Sequence, residues 1–184
     1  MTAPLQRIAV FGPESTGKTT LAQQLAAHFG EPWAPEFVRG FWDEHTGRIV
    51  AEDLTAIARG QMANEDAAAA RARQVVFCDT ELLTNVLWAD LLFPGQCPDW
   101  VRTEAERRSR RYALYLFCDT DLAFAPDPQR CFPDEAGRAM CRRLWHETLT
   151  SRGLPFAEIN GGWELREQRA TDAVTARLEH FQQK

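Results

Sequence analysis

The chain has 184 residues, 45% of them apolar and 26% charged, and a net charge of -5. That is enough apolar material for one core without disulfides, and the acidic balance argues against a general nucleic-acid binder, which needs a basic excess. The five cysteines (78, 97, 118, 131 and 141) are odd in number and form no Cys-x-x-Cys pair, so they read as reduced thiols of a cytoplasmic protein.

No leader of the basic-then-apolar kind is visible at the start, and no apolar run is long enough to cross a bilayer, so neither export nor a membrane partner is expected. Arg7 to Phe11 is a short apolar run stopping at Gly12 and reads as the first strand. Residues 12–19 then spell Gly-Pro-Glu-Ser-Thr-Gly-Lys-Thr, which is Gly-x-x-x-x-Gly-Lys-[Ser/Thr], the phosphate-binding P-loop. Its glycines, Gly12 and Gly17, let the backbone wrap an anion. The amides of Glu14, Ser15, Thr16, Gly17, Lys18, Thr19 and Thr20 are the candidate phosphate donors. Lys18 supplies a compact charge for the β- and γ-phosphates of ATP, and the Thr19 hydroxyl is a candidate Mg²⁺ ligand. Only two of the 21 basic residues are lysines, Lys18 and Lys184, and one of them falls at the motif position, where a planar guanidinium does not substitute. The same scarcity leaves no Asn/Thr-Lys-x-Asp guanine-reading motif and no third-strand lysine of a protein kinase.

Thr19 to Phe29 reads as a helix, with Leu21, Leu25 and Phe29 on one stripe and Gly30 at its end. A second strand is expected within Trp33 to Val38. It is followed by Glu36 and Arg39, which are candidates for the hydroxyl base or sugar contact and for substrate orientation; a surface ion pair accounts for them equally well. Trp33, Phe37, Phe41, Trp42, Trp88 and Trp100 are candidates for stacking on an aromatic acceptor, although such side chains more often serve packing. A helix is expected over Asp53 to Arg73 and a strand over Gln74 to Cys78. Asp79 at the strand's end is a candidate for Mg²⁺ or the acceptor hydroxyl, with Glu81 close behind. Ala113 to Cys118 repeats the strand pattern and ends at Asp119, which suits a site or a helix cap alike. The proline-bearing stretch 122–133, extended to about 138, reads as a mobile lid. Its Arg130 is placed to neutralise charge on a transferring phosphoryl group, with Arg138 a second candidate; Arg142 and Arg143 read as solvated helix face. A helix over Asp134 to Ser151, a strand over Phe156 to Ile159 and a helix over Glu164 to Phe181 close the chain. The pattern is α/β: a single domain over residues 1–184 with a three-layer P-loop NTPase fold, its doubly wound, mainly parallel five-stranded sheet flanked by helices.

Three segments together are more particular than the P-loop alone: residues 12–21, Glu36-Phe37-Val38-Arg39, and Asp79-Thr80-Glu81-Leu82-Leu83-Thr84. With Asp127, Arg130 and Gly162-Trp163-Glu164-Leu165-Arg166, they resemble the ribosylnicotinamide kinase domain of NadR-type proteins along nearly the whole chain. The resemblance implies transfer of the γ-phosphate of ATP to the 5′-hydroxyl of nicotinamide riboside, giving nicotinamide mononucleotide in NAD biosynthesis, with Arg166 near the adenine. Glu81 stands where the family commonly has Asp. No adenylyltransferase segment precedes the first strand, so that second step is not expected. From the residues alone, a kinase for another nucleoside, nucleotide or small alcohol, and an ATP-binding regulatory module without turnover, stay open. The oligomeric state is not encoded in any pattern read here.

Overall fold

A computed structural model describes residues 4–182, and side chains through residue 180. Its elements in chain order are β1 (Gln6–Phe11), α1 (Lys18–Phe29), β2 (Trp33–Ala34), α2 (Phe37–Glu44), α3 (Leu54–Ala69), β3 (Val75–Asp79), α4 (Leu82–Leu92), α5 (Asp99–Ser109), β4 (Tyr112–Cys118), α6 (Glu135–Ser151), β5 (Phe156–Ile159) and α7 (Trp163–Gln182). The strands form one parallel sheet in the order β2-β3-β1-β4-β5. Parallel neighbours require crossovers, and helices supply them on both faces.

The apolar run of β1 explains its central place. Ile8, Ala9, Val10 and Phe11 are all 0% exposed. Ile8 and Val10 face Leu21, Leu25 and Val174 of α1 and α7, whereas Ala9 and Phe11 face the layer holding Ala58, Leu82, Tyr115, Phe117 and Trp145. Val10 pairs with Asp79 on one side and Leu116 on the other. The ends of β1, β3 and β4 are therefore flush, and the loop after β1 opens at the same sheet edge as Asp79 and Asp119.

Three expectations need correction. The second strand stops at Ala34 instead of reaching Val38, because Pro35 has no N–H to continue the ladder and Phe37 already opens α2. The helix expected over Asp53 to Arg73 ends at Ala69, after a short 3₁₀ turn at Ala51–Asp53. Helices α4 and α5 were not foreseen. The segment 119–134 between β4 and α6 contains neither helix nor strand, in keeping with the loop expected there. In α7 Val174 is buried and Leu178 packs on the same cluster, while the side chain of Phe181, expected beside them, lies outside the described residues. No helix among the described residues is long and apolar enough to cross a membrane.

Candidate functional site

The loop after β1 has the geometry of an anion cradle. Gly12 has φ +151°, and a Cβ there would lie 2.6 Å from the Cys118 carbonyl, so a side chain has no room. Gly17 caps α1 in the left-handed region at φ +79°, where a Cβ would meet the Trp163 ring at 2.6 Å. The first-turn amides of α1 lack partners within the helix and sit at its positive end. The Pro13 carbonyl accepts from Lys18 Nζ at 2.6 Å and from the Thr16 hydroxyl at 2.8 Å. Thr16 is 1% exposed, so its side chain braces the loop and only its amide is left for an anion.

Beside the loop, the Thr19 hydroxyl donates to Asp79 Oδ2 at 2.6 Å. Asp79 is 1% exposed, and its other oxygen, Oδ1, has no partner. A buried carboxylate oxygen without a donor, next to a hydroxyl, is a donor set that suits a hard divalent cation. Burial pushes the Asp79 carboxyl above its usual range, against the pull of Thr19 and Lys18.

Glu36 sits at the N-cap of α2 and lines a cavity of about 330 Å³ that runs from the loop toward α3, α4 and α5. Its carboxyl is pushed up to about 7, first by burial and next by the Asp79 charge, with Lys18, Arg39 and Arg130 pulling the other way. Glu36, Asp79 and Lys18, separated in sequence, are therefore electrostatic neighbours. In metal-free protein the Glu36 carboxyl is expected to titrate near 7, and Asp79→Asn to lower that midpoint because one of its two raising causes is removed. Carbon-detected NMR of ¹³C-labelled glutamate checks it; an unmoved midpoint would uncouple the two carboxylates.

The loop between β4 and α6 is anchored on the P-loop. The Glu14 carboxylate accepts from Cys131 N at 3.0 Å and Phe132 N at 2.6 Å, and Ser15 Oγ accepts from Ala125 N at 2.9 Å. Arg39 lines the cavity and pairs with Asp127 Oδ2 at 3.1 Å, tying α2 to the same loop. Arg130 also lines the cavity, but its guanidinium donates to Ala125 O within the lid and lies over the Phe124 ring. Arg138 Nη2 donates to the carbonyls of Thr120 and Leu122.

Several candidate residues are held by protein contacts. Glu81 is 0% exposed, accepts from Leu83 N at 2.9 Å as the cap of α4, and is not among the residues lining the cavity. Arg142, expected to be solvated, holds Asp119 through two bonds at 2.6 and 2.9 Å, which makes Asp119 an ion-pair partner at the end of β4. Arg166 is 2% exposed and donates to the carbonyls of Gly161, Thr16 and Asp119 and to Asp121. It buttresses the P-loop from below, with its donors turned to protein acceptors.

Trp42 lines the cavity. The first turns of α4 add Thr84, Asn85 and Trp88, and Trp88 is braced by Phe132 and Trp145. Trp88 was legible only as one aromatic among several and Thr84 only as the last residue of the Asp79 to Thr84 segment, while Asn85 went unseen because α4 was. Beyond them the cavity ends among apolar side chains such as Ile57, Leu92 and Val101.

A family model described as an AAA domain matches residues 7–166. The trifunctional NAD biosynthesis/regulator protein NadR of Salmonella typhimurium is 24% identical over 159 residues, which cover 84% of this chain and 38% of that protein. The Escherichia coli protein gives the same figures. The chain thus spans well under half the length of these relatives. Two solved structures of NadR share the fold: one in complex with NR (TM-score 0.73, 23% identity, 95% of this chain and 52% of that one) and one with NAD and AMP-PNP (TM-score 0.72, 22% identity, 95% and 49%).

Proposed function

This chain belongs to the AAA-domain family, and on that premise we propose that it is an ATP-dependent kinase that phosphorylates nicotinamide riboside. The observation that carries the reading is the layout of one cavity. Lys18 and Thr19 of the P-loop, Glu36, Trp42 and Trp88 line it together, so that phosphates at the P-loop and an acceptor against the indoles would share one space with Glu36. A volume of about 330 Å³ suits a small ligand. Two indoles in a cavity that the Glu36 carboxylate also lines favour a flat cationic ring, which nicotinamide riboside carries. The similarity to NadR, seen in complexes with NR and with AMP-PNP, supports the same pair of substrates.

In this reading the loop amides and Lys18 hold the β- and γ-phosphates of ATP. Glu36 accepts the proton of the 5′-hydroxyl as its oxygen bonds to the γ-phosphorus and the bridging P–O bond to ADP breaks. Arg130 reaches the transferring group after leaving Ala125 O. Thr19 and Asp79 would hold Mg²⁺, which supplies charge neutralisation at the phosphates. The lid and P-loop, already tied through Glu14 and Ser15, exclude water so that transfer outcompetes hydrolysis.

The test is ADP release from MgATP with nicotinamide riboside, and separately with a panel of nucleosides, nucleotides and small alcohols. Strong stimulation by nicotinamide riboside alone is expected. Stimulation by another acceptor would replace the substrate and keep the mechanism. ATP binding without stimulation by any acceptor would favour a regulatory module.

A further inference from the structure

The peptide groups on both sides of Glu36 are gripped by amide side chains of α3. Asn64 Nδ2 donates to the Pro35 carbonyl at 3.1 Å, and Phe37 N donates to Gln61 Oε1 at 3.0 Å. Phe37 N is a first-turn amide of α2 with no partner inside the helix. An N-cap side chain commonly satisfies such amides, but Glu36 makes no side-chain cap bond. Gln61 satisfies the N1 amide from α3, and Glu36 spends no bond on the N2 and N3 amides an N-cap side chain reaches, so its carboxylate is free for the cavity it lines.

Gln61 is 1% exposed, and its orientation is dictated from behind. Its Nε2 donates to Glu65 Oε1 at 3.2 Å. Burial raises the Glu65 carboxyl, yet three donors converge on it: Gln61, the Tyr112 hydroxyl at 2.8 Å and Arg108 Nη2 at 3.2 Å. With the amide nitrogen turned to Glu65, the amide oxygen must face Phe37 N. The two helices also meet without slack. A Cβ at Gly60 would fall 2.3 Å from the Phe37 ring, so the ring rests directly on the α3 backbone.

We propose that Gln61 is a positioning residue for Glu36, backed by Glu65 and assisted by Asn64. It holds the base at the acceptor without touching either substrate. The inference rests on the kinase reading and on Glu36 as the base. Gln61→Met keeps the length of the side chain and removes both bonds. It is expected to lower kcat/KM for nicotinamide riboside by about tenfold or more, since small displacements of a reacting group are costly. The KM for ATP, set at the P-loop, should stay within about twofold, as distant sites act independently.

The deciding measurement is a double-mutant cycle with Glu36→Gln, using the residual turnover of the single and double variants. If Gln61 acts through Glu36, Gln61→Met should change kcat/KM by less than about twofold in the Glu36→Gln background. An equal loss in both backgrounds, or wild-type activity in Gln61→Met, would overturn the clamp while leaving the kinase reading in place. If the buried substitution lowers Tm below the assay temperature, Asn64→Ala, at an exposed bond, is put through the same cycle. A loss of about threefold confined to the wild-type background is then expected. No acceptor-stimulated ADP release from the wild-type protein would overturn the kinase reading and the clamp with it.

Discussion

Replacing Lys18 with Met is expected to lower acceptor-stimulated turnover by about 10³-fold, the scale of losing a preorganised charge at a transferring phosphoryl group. The reason lies in where this side chain is held. Its Nζ bonds to the carbonyl of Pro13 within the same loop, so the ammonium is already poised over the anion cradle before any ligand arrives. The bond to Pro13 is local, and the loop keeps its Thr16 brace and the Arg166 contact below it, so the fold should survive. Lys18→Arg is expected to rescue little, because a planar fork does not fit a cradle shaped for a compact charge. The assay is kcat at saturating nicotinamide riboside beside a thermal melt. Full turnover in a folded Lys18→Met protein would remove the P-loop from the reaction altogether.

What the amino-acid sequence makes legible is what lies contiguous in it. The P-loop is eight consecutive residues after an apolar strand, and its glycines and lysine act where they stand. The strand ends carrying Asp79 and Asp119 were equally readable, but their fates were not. Asp79 has a buried oxygen without a donor, whereas Asp119 is met by Arg142 from more than twenty residues away. Nothing local in Phe-Cys-Asp distinguishes the two. The aromatic wall from α4 was lost for a different reason. Leu82 to Leu92 is apolar around most of its circumference, so no single stripe marks it as a helix, and it is packed among α3, α5 and α6. Glu81 shows the limit of proximity in sequence: two residues from Asp79, it turns into the core and caps that same helix. The loop before α6 was recognisable from its prolines. Its fastening to Glu14 and Ser15 depends on a loop more than a hundred residues downstream folding back over the P-loop. Two positions that read as phosphate contacts therefore spend their side chains on lid amides.

Glu36→Gln carries the second large effect, a fall in kcat of about 10²-fold or more, the usual contribution of a positioned general base. Gln keeps the volume and can still accept a hydrogen bond from the acceptor hydroxyl, but it cannot take the proton. The KM for nicotinamide riboside should therefore move much less than kcat. A second carboxylate, Asp79, is bonded to the Thr19 that lines the cavity, and the two roles separate by their response to metal. Asp79 bonds to the Thr19 hydroxyl and keeps one oxygen free, a place suited to a cation, so Asp79→Asn should raise the Mg²⁺ concentration needed for half-maximal rate. Glu36 makes no such pairing and stands at the start of α2, so added Mg²⁺ should leave Glu36→Gln as slow as before. Restoration of Glu36→Gln by metal, with Asp79→Asn resistant to it, would exchange the two assignments. A Glu36→Gln protein with unchanged kcat would mean that the proton leaves by another route and that Glu36 only shapes the acceptor's seat.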